Sequence, residues 1–209
     1  MTFASREAAG QELGRLLVER GVKADIVLGL PRGGVVVAAE VAQALELPLS
    51  VLVVRKIGHP HHREYAVGAL AEHEVVVLED DAMRESRAAQ DELAGVIAEE
   101  TKRLRDYQAR FHHHGEAALE GKIVVIVDDG LATGATAAAA VMSAKKQKAR
   151  EVIVAVPVAS PEGVKRLSGS ADKVIALIVD PEFMAVGGYY DWFPQTTDEE
   201  VLSLIHSHA

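Results

Sequence analysis

Cysteine is absent from the 209 residues, which removes disulfides, thiolate metal sites and cysteine nucleophiles together and fits a reducing compartment. No apolar run is long enough to span a bilayer, and no basic segment leads into an apolar one of the secretory kind, so a cytoplasmic location is expected. Basic residues are the minority, 22 Lys and Arg against 31 Asp and Glu, for a formal charge of −9. Backbone binding of nucleic acid runs on clustered Lys and Arg and on counterion release. Nucleic acid and membrane are therefore not expected partners, and any phosphate must be held at a local, built site. Aromatics are few, one Trp, four Tyr and four Phe, and Phe183, Tyr189, Tyr190, Trp192 and Phe193 all crowd into the tail.

What is present is an alternation of aliphatic runs and helical patterns. Ser5 is placed to cap a helix carrying Ala8, Ala9, Leu13, Leu16 and Leu17, which Gly21 stops. The run 26–30 enters Pro31-Arg32-Gly33-Gly34 and then a helical stretch to Leu45. Segment 49–54 reads as one strand ending in Arg55 and Lys56, and 57–68, rich in His, Pro and Gly, as a long surface loop. After a strand over 75–78, residues 81–111 read as one helix, about 45 Å long, that either breaks near Gly95 or projects and packs. Its stripe of Leu93, Val96, Ile97, Leu104, Tyr107 and Phe111 is expected to be core or a dimer seam. Strands over 123–127, 152–156 and 173–179 alternate with helices to about 148 and over 161–167, the latter with Pro at its first turn. A last helix is capped by Thr197 or Asp198.

This alternation predicts an α/β fold with a mostly parallel central sheet and helices on both faces. The length suits a single domain over 1–209, with a helical insertion over 81–119 and a small aromatic hood or tail over 181–209.

Ligands of such sheets bind beyond the carboxyl ends of the strands, where three loops fall: 31–34, 55–68 and 128–136. In the last, Thr133, Gly134, Ala135 and Thr136 offer backbone N–H groups and two hydroxyls at a helix start, which suits a phosphomonoester. Asp128 and Asp129 only accept hydrogen bonds. Beside a phosphate loop they make sense if they take the vicinal hydroxyls of a sugar or hold Mg²⁺. The ligand implied is a sugar phosphate with a metal.

The run Val124-Val125-Ile126-Val127-Asp128-Asp129-Gly130-Leu131-Ala132-Thr133-Gly134-Ala135-Thr136 resembles the phosphoribosyl pyrophosphate (PRPP) motif of type I phosphoribosyltransferases. Leu30-Pro31-Arg32-Gly33-Gly34 is similar to that family's pyrophosphate loop, and Val54-Arg55-Lys56 to its basic residues before the flexible loop. The resemblance covers about 22–180 and leaves out the helical insertion and the tail. It implies transfer of a phosphoribosyl group from PRPP to a nitrogenous acceptor, in the first place a nucleobase, with release of pyrophosphate. Asp128 and Asp129 would contact the ribose hydroxyls, directly or with Mg²⁺ as cofactor. The segment 132–136 would hold the 5′-phosphate. Arg32, Gly33 and Gly34 would hold the pyrophosphate, in a loop where the family often has a cis peptide, here Pro31–Arg32. Arg55 and Lys56 would neutralise the leaving group.

One position departs from the 6-oxopurine members, which carry an acid just before the Thr-Gly pair where this chain has Ala132. Acid–base help would then come from the loop after Lys56, with His61 and Glu64, beside His59 and His62, as candidates. As a group, His59, His61 and His62 read as a mobile polar loop rather than a metal cage. His112-His113-His114 read as a cationic helix C-terminus ahead of metal binding. The aromatic tail divides between a hydrophobic clasp and a hood whose Tyr189 and Tyr190 stack on a planar acceptor. Two other functions fit the same loops: a PRPP-sensing regulator, and a sugar-phosphate hydrolase. The expected partners are small molecules and a second copy of the chain.

Overall fold

A computed structural model describes residues 2–63, 65–79, 87–112 and 115–208. Glu64, the first residues of the expected long helix (81–86), His113 and His114 lie outside the described residues.

Five strands form one parallel sheet in the order β2 (Leu49–Val51), β1 (Ile26–Gly29), β6 (Ile123–Val127), β7 (Glu151–Ala159) and β8 (Lys173–Val179). The strands at its centre are aliphatic throughout because both faces are covered. Val27, Val125 and Val127 turn into one core with α1 (Arg6–Glu19) and α2 (Gly33–Leu45). Leu28, Val124 and Ile126 turn into the other, against α4 (Ala135–Lys146) and α5 (Pro161–Leu167). The small side chains Ala137 to Ala140, all buried, bring α4 close to the sheet. A chain that alternates in this way has the α/β architecture its periodicity predicts, with caps at Ser5 and Thr197 where they were expected and a further one at Ser160. Ser5 accepts from Ala8 N, Ser160 accepts from Gly163 N ahead of Pro161, and Thr197 and Glu200 close a reciprocal capping box on α6 (Asp198–Ser207).

The segment after β2 differs from its expectation. Residues 49–54 are not one strand: the chain leaves the parallel sheet at Val51 and enters a second, antiparallel sheet of β3 (Val54–Gly58), β4 (Ala66–Ala71) and β5 (Val75–Leu78). The crossing is made possible by Glu72, whose carboxylate is 1% exposed and accepts from Val53 N at 2.9 Å. That hydrogen bond satisfies a donor that neither sheet serves. The expected long loop over 57–68 shrinks accordingly. β3 and β4 pair from Val54↔Ala71 to Gly58↔Ala66, with a register shift at Ile57/Gly58, and only the tip of the hairpin is irregular.

Helix α3 (Arg87–Phe111) runs for 25 residues, about 37 Å, and passes Gly95 without a break. Leu93, Val96, Leu104 and Phe111 are buried, with Ile97 and Tyr107 packed beside them, in the core that holds Ile57, Val67 and Leu70 of the hairpin. The apolar stripe is thus covered by its own chain. Among the described residues, no helix is long and apolar enough to cross a membrane.

Candidate functional site

The carboxyl ends of β1 and β6 lie side by side, Gly29 opposite Val127, so the loops that follow them meet. Between these loops, β3 and the middle of α3 opens a cavity of about 880 Å³. Its wall takes in residues 30–33, 54–56 and 128–137 together with Glu99, Glu100 and Arg103 of α3. Two loops that follow strands, 31–34 and 128–136, are therefore brought together as their positions predict, and the third wall segment, 54–56, is part of strand β3 rather than the loop expected there.

Asp128 and Asp129 form one side of this space. Asp129 N donates to Asp128 Oδ1 at 2.9 Å, and Asp129 Oδ2 receives Arg6 Nε at 2.8 Å. Burial holds the Asp128 carboxyl well above the usual carboxylate range. The neighbouring Asp129 charge pushes it further, and the backbone hydrogen bond, Lys56 and Arg6 offset only part. Asp129 is raised as well, first by burial, with Arg6 opposing. Burial and mutual proximity thus make it costly to keep both carboxylates ionised without a further counter-charge.

The pyrophosphate-type loop presses directly on these carboxylates. The Pro31–Arg32 peptide is cis. A Cβ at Gly33 would meet Asp129 Oδ2 and lie 2.7 Å from Arg6 Nε, and one at Gly34 would lie 2.7 Å from Asp128 Oδ1. Glycine is needed at both positions because backbone and carboxylates share the space. Gly33 lines the cavity, while Gly34 stands behind it. Arg32 lines it too, with Nη1 3.6 Å from Asp198 Oδ1 at the start of α6.

Opposite, α4 begins at Gly134, whose φ of 80° places it in the left-handed region, with no side-chain cap. Ala132, Thr133, Gly134, Ala135 and Thr136 all line the cavity. The first N–H groups of a twelve-residue helix are thus presented to it, with Thr133 Oγ1 only 3.5 Å from Ala135 N. Uncapped N–H groups and the helix dipole favour an anion there.

The two basic residues after β3's start differ in state. Lys56 is exposed, lines the cavity and makes no salt bridge among the described residues, and its charge acts on both aspartates. Arg55 is committed: Nε and Nη2 reach Glu100 Oε2 at 2.9 and 2.8 Å, and Arg103 Nη1 takes Glu100 Oε1 at 2.6 Å.

Several expected site residues stand elsewhere. His61 is not on the cavity wall; its Nε2 faces Glu92 of α3 at 2.8 Å. The tip it belongs to is tightly hydrogen-bonded, His59 N to Tyr65 O at 2.8 Å and Tyr65 N to His62 O at 2.8 Å. Tyr189 and Tyr190 are also absent from the wall. Tyr190 is buried against Phe3 and donates to the Asp129 carbonyl oxygen at 2.5 Å, with its phenol pushed up by burial. Tyr189 donates to Asp180 Oδ2 at 2.6 Å and stacks on Phe183. Phe3 with Tyr190 and Phe183 with Tyr189 pack as a clasp, and among the described tail residues only Val186 lies on the cavity wall. His112 does not simply terminate α3, since its Nε2 lies 2.6 Å from Glu72 Oε1.

Sequence reasoning missed Glu99, Glu100 and Arg103 of the wall, and also Arg6, which stands behind the wall and holds Asp129. Besides its bond to Asp129, Nη1 donates to Pro194 O at 2.7 Å and the guanidinium lies 3.7 Å from the Phe193 ring centre. The one local hint is its place in the first turn of α1, where the dipole disfavours a cation. A basic residue there needs a partner from outside the helix.

Fold and site together define an α/β protein with a ligand cavity at the carboxyl edge of a parallel sheet, between paired carboxylates and an uncapped helix N-terminus. The family model described as phosphoribosyl transferase domain matches residues 4–191, and the chain belongs to that family. It is 44% identical over 207 residues to curated proteins of two Mycobacterium tuberculosis strains that are provisionally named phosphoribosyl transferases. The match takes in 97% of this chain and 46% of theirs, so the chain spans about half the length of these relatives. The crystal structure of TT1426 from Thermus thermophilus is 44% identical, with a TM-score of 0.82 and 100% of both chains covered. A purine phosphoribosyltransferase of Pyrococcus horikoshii shares the fold, at 20% identity and a TM-score of 0.52, over 93% of this chain and 94% of its own.

Proposed function

We propose that the cavity binds PRPP with Mg²⁺ and that the protein transfers the phosphoribosyl group to a nitrogenous acceptor, releasing pyrophosphate. The observation that carries this reading is the pairing of Asp128 and Asp129 with the uncapped start of α4 across one cavity. A ribose 5-phosphate unit needs hydrogen-bond acceptors for its vicinal hydroxyls at one end and N–H donors for its phosphate at the other.

The residues present fit a hard divalent cation. Two adjacent carboxylates supply oxygen donors, and a bound cation would offset the burial and mutual repulsion that raise their affinity for protons. Asp128 and Asp129 would hold Mg²⁺, whose chemistry when bound is to offset charge on the pyrophosphate oxygens.

The chain's own groups then divide the work. Asp128 and Asp129 accept from the ribose hydroxyls, and the N–H groups of 132–136 hold the 5′-phosphate. The bond from ribose C1 to the pyrophosphate oxygen breaks, and its electron pair leaves with pyrophosphate toward Lys56 and Arg32. An acceptor nitrogen bonds C1 and gives up its proton to solvent or to a cavity base. Each charge-assisted hydrogen bond contributes about 1.5–3 kcal/mol, and those that strengthen as charge builds on pyrophosphate accelerate the step.

Calorimetric titration with PRPP and Mg²⁺, followed by pyrophosphate release over a panel of nucleobases, tests the proposal. Saturable binding that Asp129→Asn weakens, together with base-dependent pyrophosphate release, is the expected result. Absence of PRPP binding by the wild-type protein overturns it, and phosphate release without a base points to hydrolysis instead.

A further inference from the structure

Away from the cavity, the turn between β4 and β5 meets the segment around the C-terminal end of α3, where three metal-type donors converge and a fourth, His112, is bonded to one of them. Glu72, 1% exposed, ends the β4 side. His73 follows it in the turn, His112 stands just past the end of α3, and Glu116 lies in the segment beyond. Ligand-capable atoms of Glu72, His73 and Glu116 all lie within 4.8 Å of one another. His112 Nε2 is 2.6 Å from Glu72 Oε1, and His73 Nε2 is 2.6 Å from Glu116 Oε1.

We infer that these four residues form a binding site for a divalent transition-metal ion of the zinc class, held by two imidazoles and two carboxylates. The donor set is the mixed nitrogen and oxygen type that zinc takes, one atom from each of four residues. Metal–donor bonds of about 2.0–2.2 Å space tetrahedral donors roughly 3.3 Å apart. The two close pairs, at 2.6 Å, open by about 0.7 Å. The separations among Glu72, His73 and Glu116, none above 4.8 Å, close by at most about 1.5 Å, and His112 turns in from its bond to Glu72.

The alternative, two independent ion pairs, accounts less well for the arrangement. Two ion pairs compensate each carboxylate singly, His112 for Glu72 and His73 for Glu116, but leave the two carboxylates, with ligand atoms within 4.8 Å of each other, without a shared counter-charge. The supports that outer partners give a metal ligand are already in place. Val53 N holds Glu72 Oε1 at 2.9 Å, and Lys146 Nζ holds the His73 carbonyl oxygen at 2.6 Å. His73 and Glu116 keep 33% and 36% of their side chains exposed, which leaves a path for the ion, while Glu72 and His112 form the buried half.

An ion here would staple the β4–β5 turn to the end of α3, the helix that puts Glu99, Glu100 and Arg103 on the cavity wall. The inference does not depend on what the cavity binds.

The test is equilibrium dialysis of chelator-stripped protein against Zn²⁺, in millimolar Mg²⁺ to occupy oxygen-only sites, with Co²⁺ as a visible probe. The expected result is one Zn²⁺ per chain, a raised Tm on binding, and Co²⁺ d–d absorption of four-coordinate strength. His73→Ala and Glu116→Gln, both at part-exposed positions, fold without metal and bind about 100-fold more weakly. A variant with His59, His61 and His62 all changed to Ala keeps the site. Absence of saturable binding, equal binding by His73→Ala and Glu116→Gln, or loss of the ion in the loop variant overturns the inference.

Discussion

Arg6 and Asp129, 123 residues apart in sequence, are joined by a 2.8 Å bond from Nε to Oδ2. The pair lies at the mouth of α2, against Gly33, and ties the N-terminal helix, the carboxylate loop and the tail at Pro194 into one unit. A buried pair broken on one side leaves an uncompensated charge.

Arg6→Ala is therefore expected to destabilise the fold by about 3–5 kcal/mol. Arg6→Lys recovers only part, because an ammonium cannot serve Asp129 and Pro194 at once while lying over Phe193. Denaturant melts of both variants check this, and a fully restored Arg6→Lys would contradict it.

Asp128 carries the opposite consequence. A carboxyl whose folded pKa is raised by burial costs stability above its unfolded pKa, and the cost is relieved as the pH falls. Asp128→Asn should leave Tm at neutral pH unchanged or higher while weakening PRPP binding by tenfold or more, about 1.4 kcal/mol. Thermal melts and titration calorimetry on the same variant separate the two effects.

Lys56 and Arg55, adjacent in sequence, are expected to respond differently. Lys56→Ala lowers PRPP affinity by about tenfold, a loss of roughly 1.4 kcal/mol, with little change in Tm. Arg55→Ala lowers affinity less and Tm more, because it deprives the buried Glu100 of one of its two arginines. Equal effects on binding would mean that the Arg55–Glu100 pair opens when PRPP binds.

Tyr189 and Asp180 supply a pH signature at the tail. The hydrogen bond to Asp180 pushes the Tyr189 phenol up to about 12, and the same bond, with that from Glu182 N, lowers the Asp180 carboxyl. Because the carboxyl's folded pKa is depressed, its contribution is present above the unfolded carboxylate pKa and fades as the pH falls through the folded one. Ultraviolet titration should show a tyrosine ionising near 12 that Tyr189→Phe removes. The stability difference between wild type and Tyr189→Phe should vanish in acid.

Legibility of the fold followed the range of the interactions involved. Ser5 and the Thr197–Glu200 box start helices through contacts within three residues, Pro161 opens one through its fixed φ, and β6 declares itself by an unbroken aliphatic run. The 49–54 run has equally strong strand character, yet its division between two sheets depends on a carboxylate at Glu72, 19 residues from Val53. No local pattern carries that information. The cavity segments 31–34 and 128–136 were legible as loops after strands, whereas the strand character of 54–58, the commitment of Arg55 to Glu100, 45 residues away, and the outward placement of His61 were not.

By itself, then, the sequence determined the parallel α/β architecture, the carboxylate and Gly/Thr loop of 128–136, and the family to which they belong. These rest on side-chain periodicity, caps and backbone chemistry that act over a few residues. Only the tertiary structure decided that Arg6 clamps Asp129, that Tyr190 packs into the core while Val186 of the same tail reaches the cavity wall, and that Glu72 lies beside His73 and Glu116 with His112 bonded to it. Each of those depends on which distant surfaces bury one another, and a buried charge takes its partner from whatever chain segment packing brings within reach.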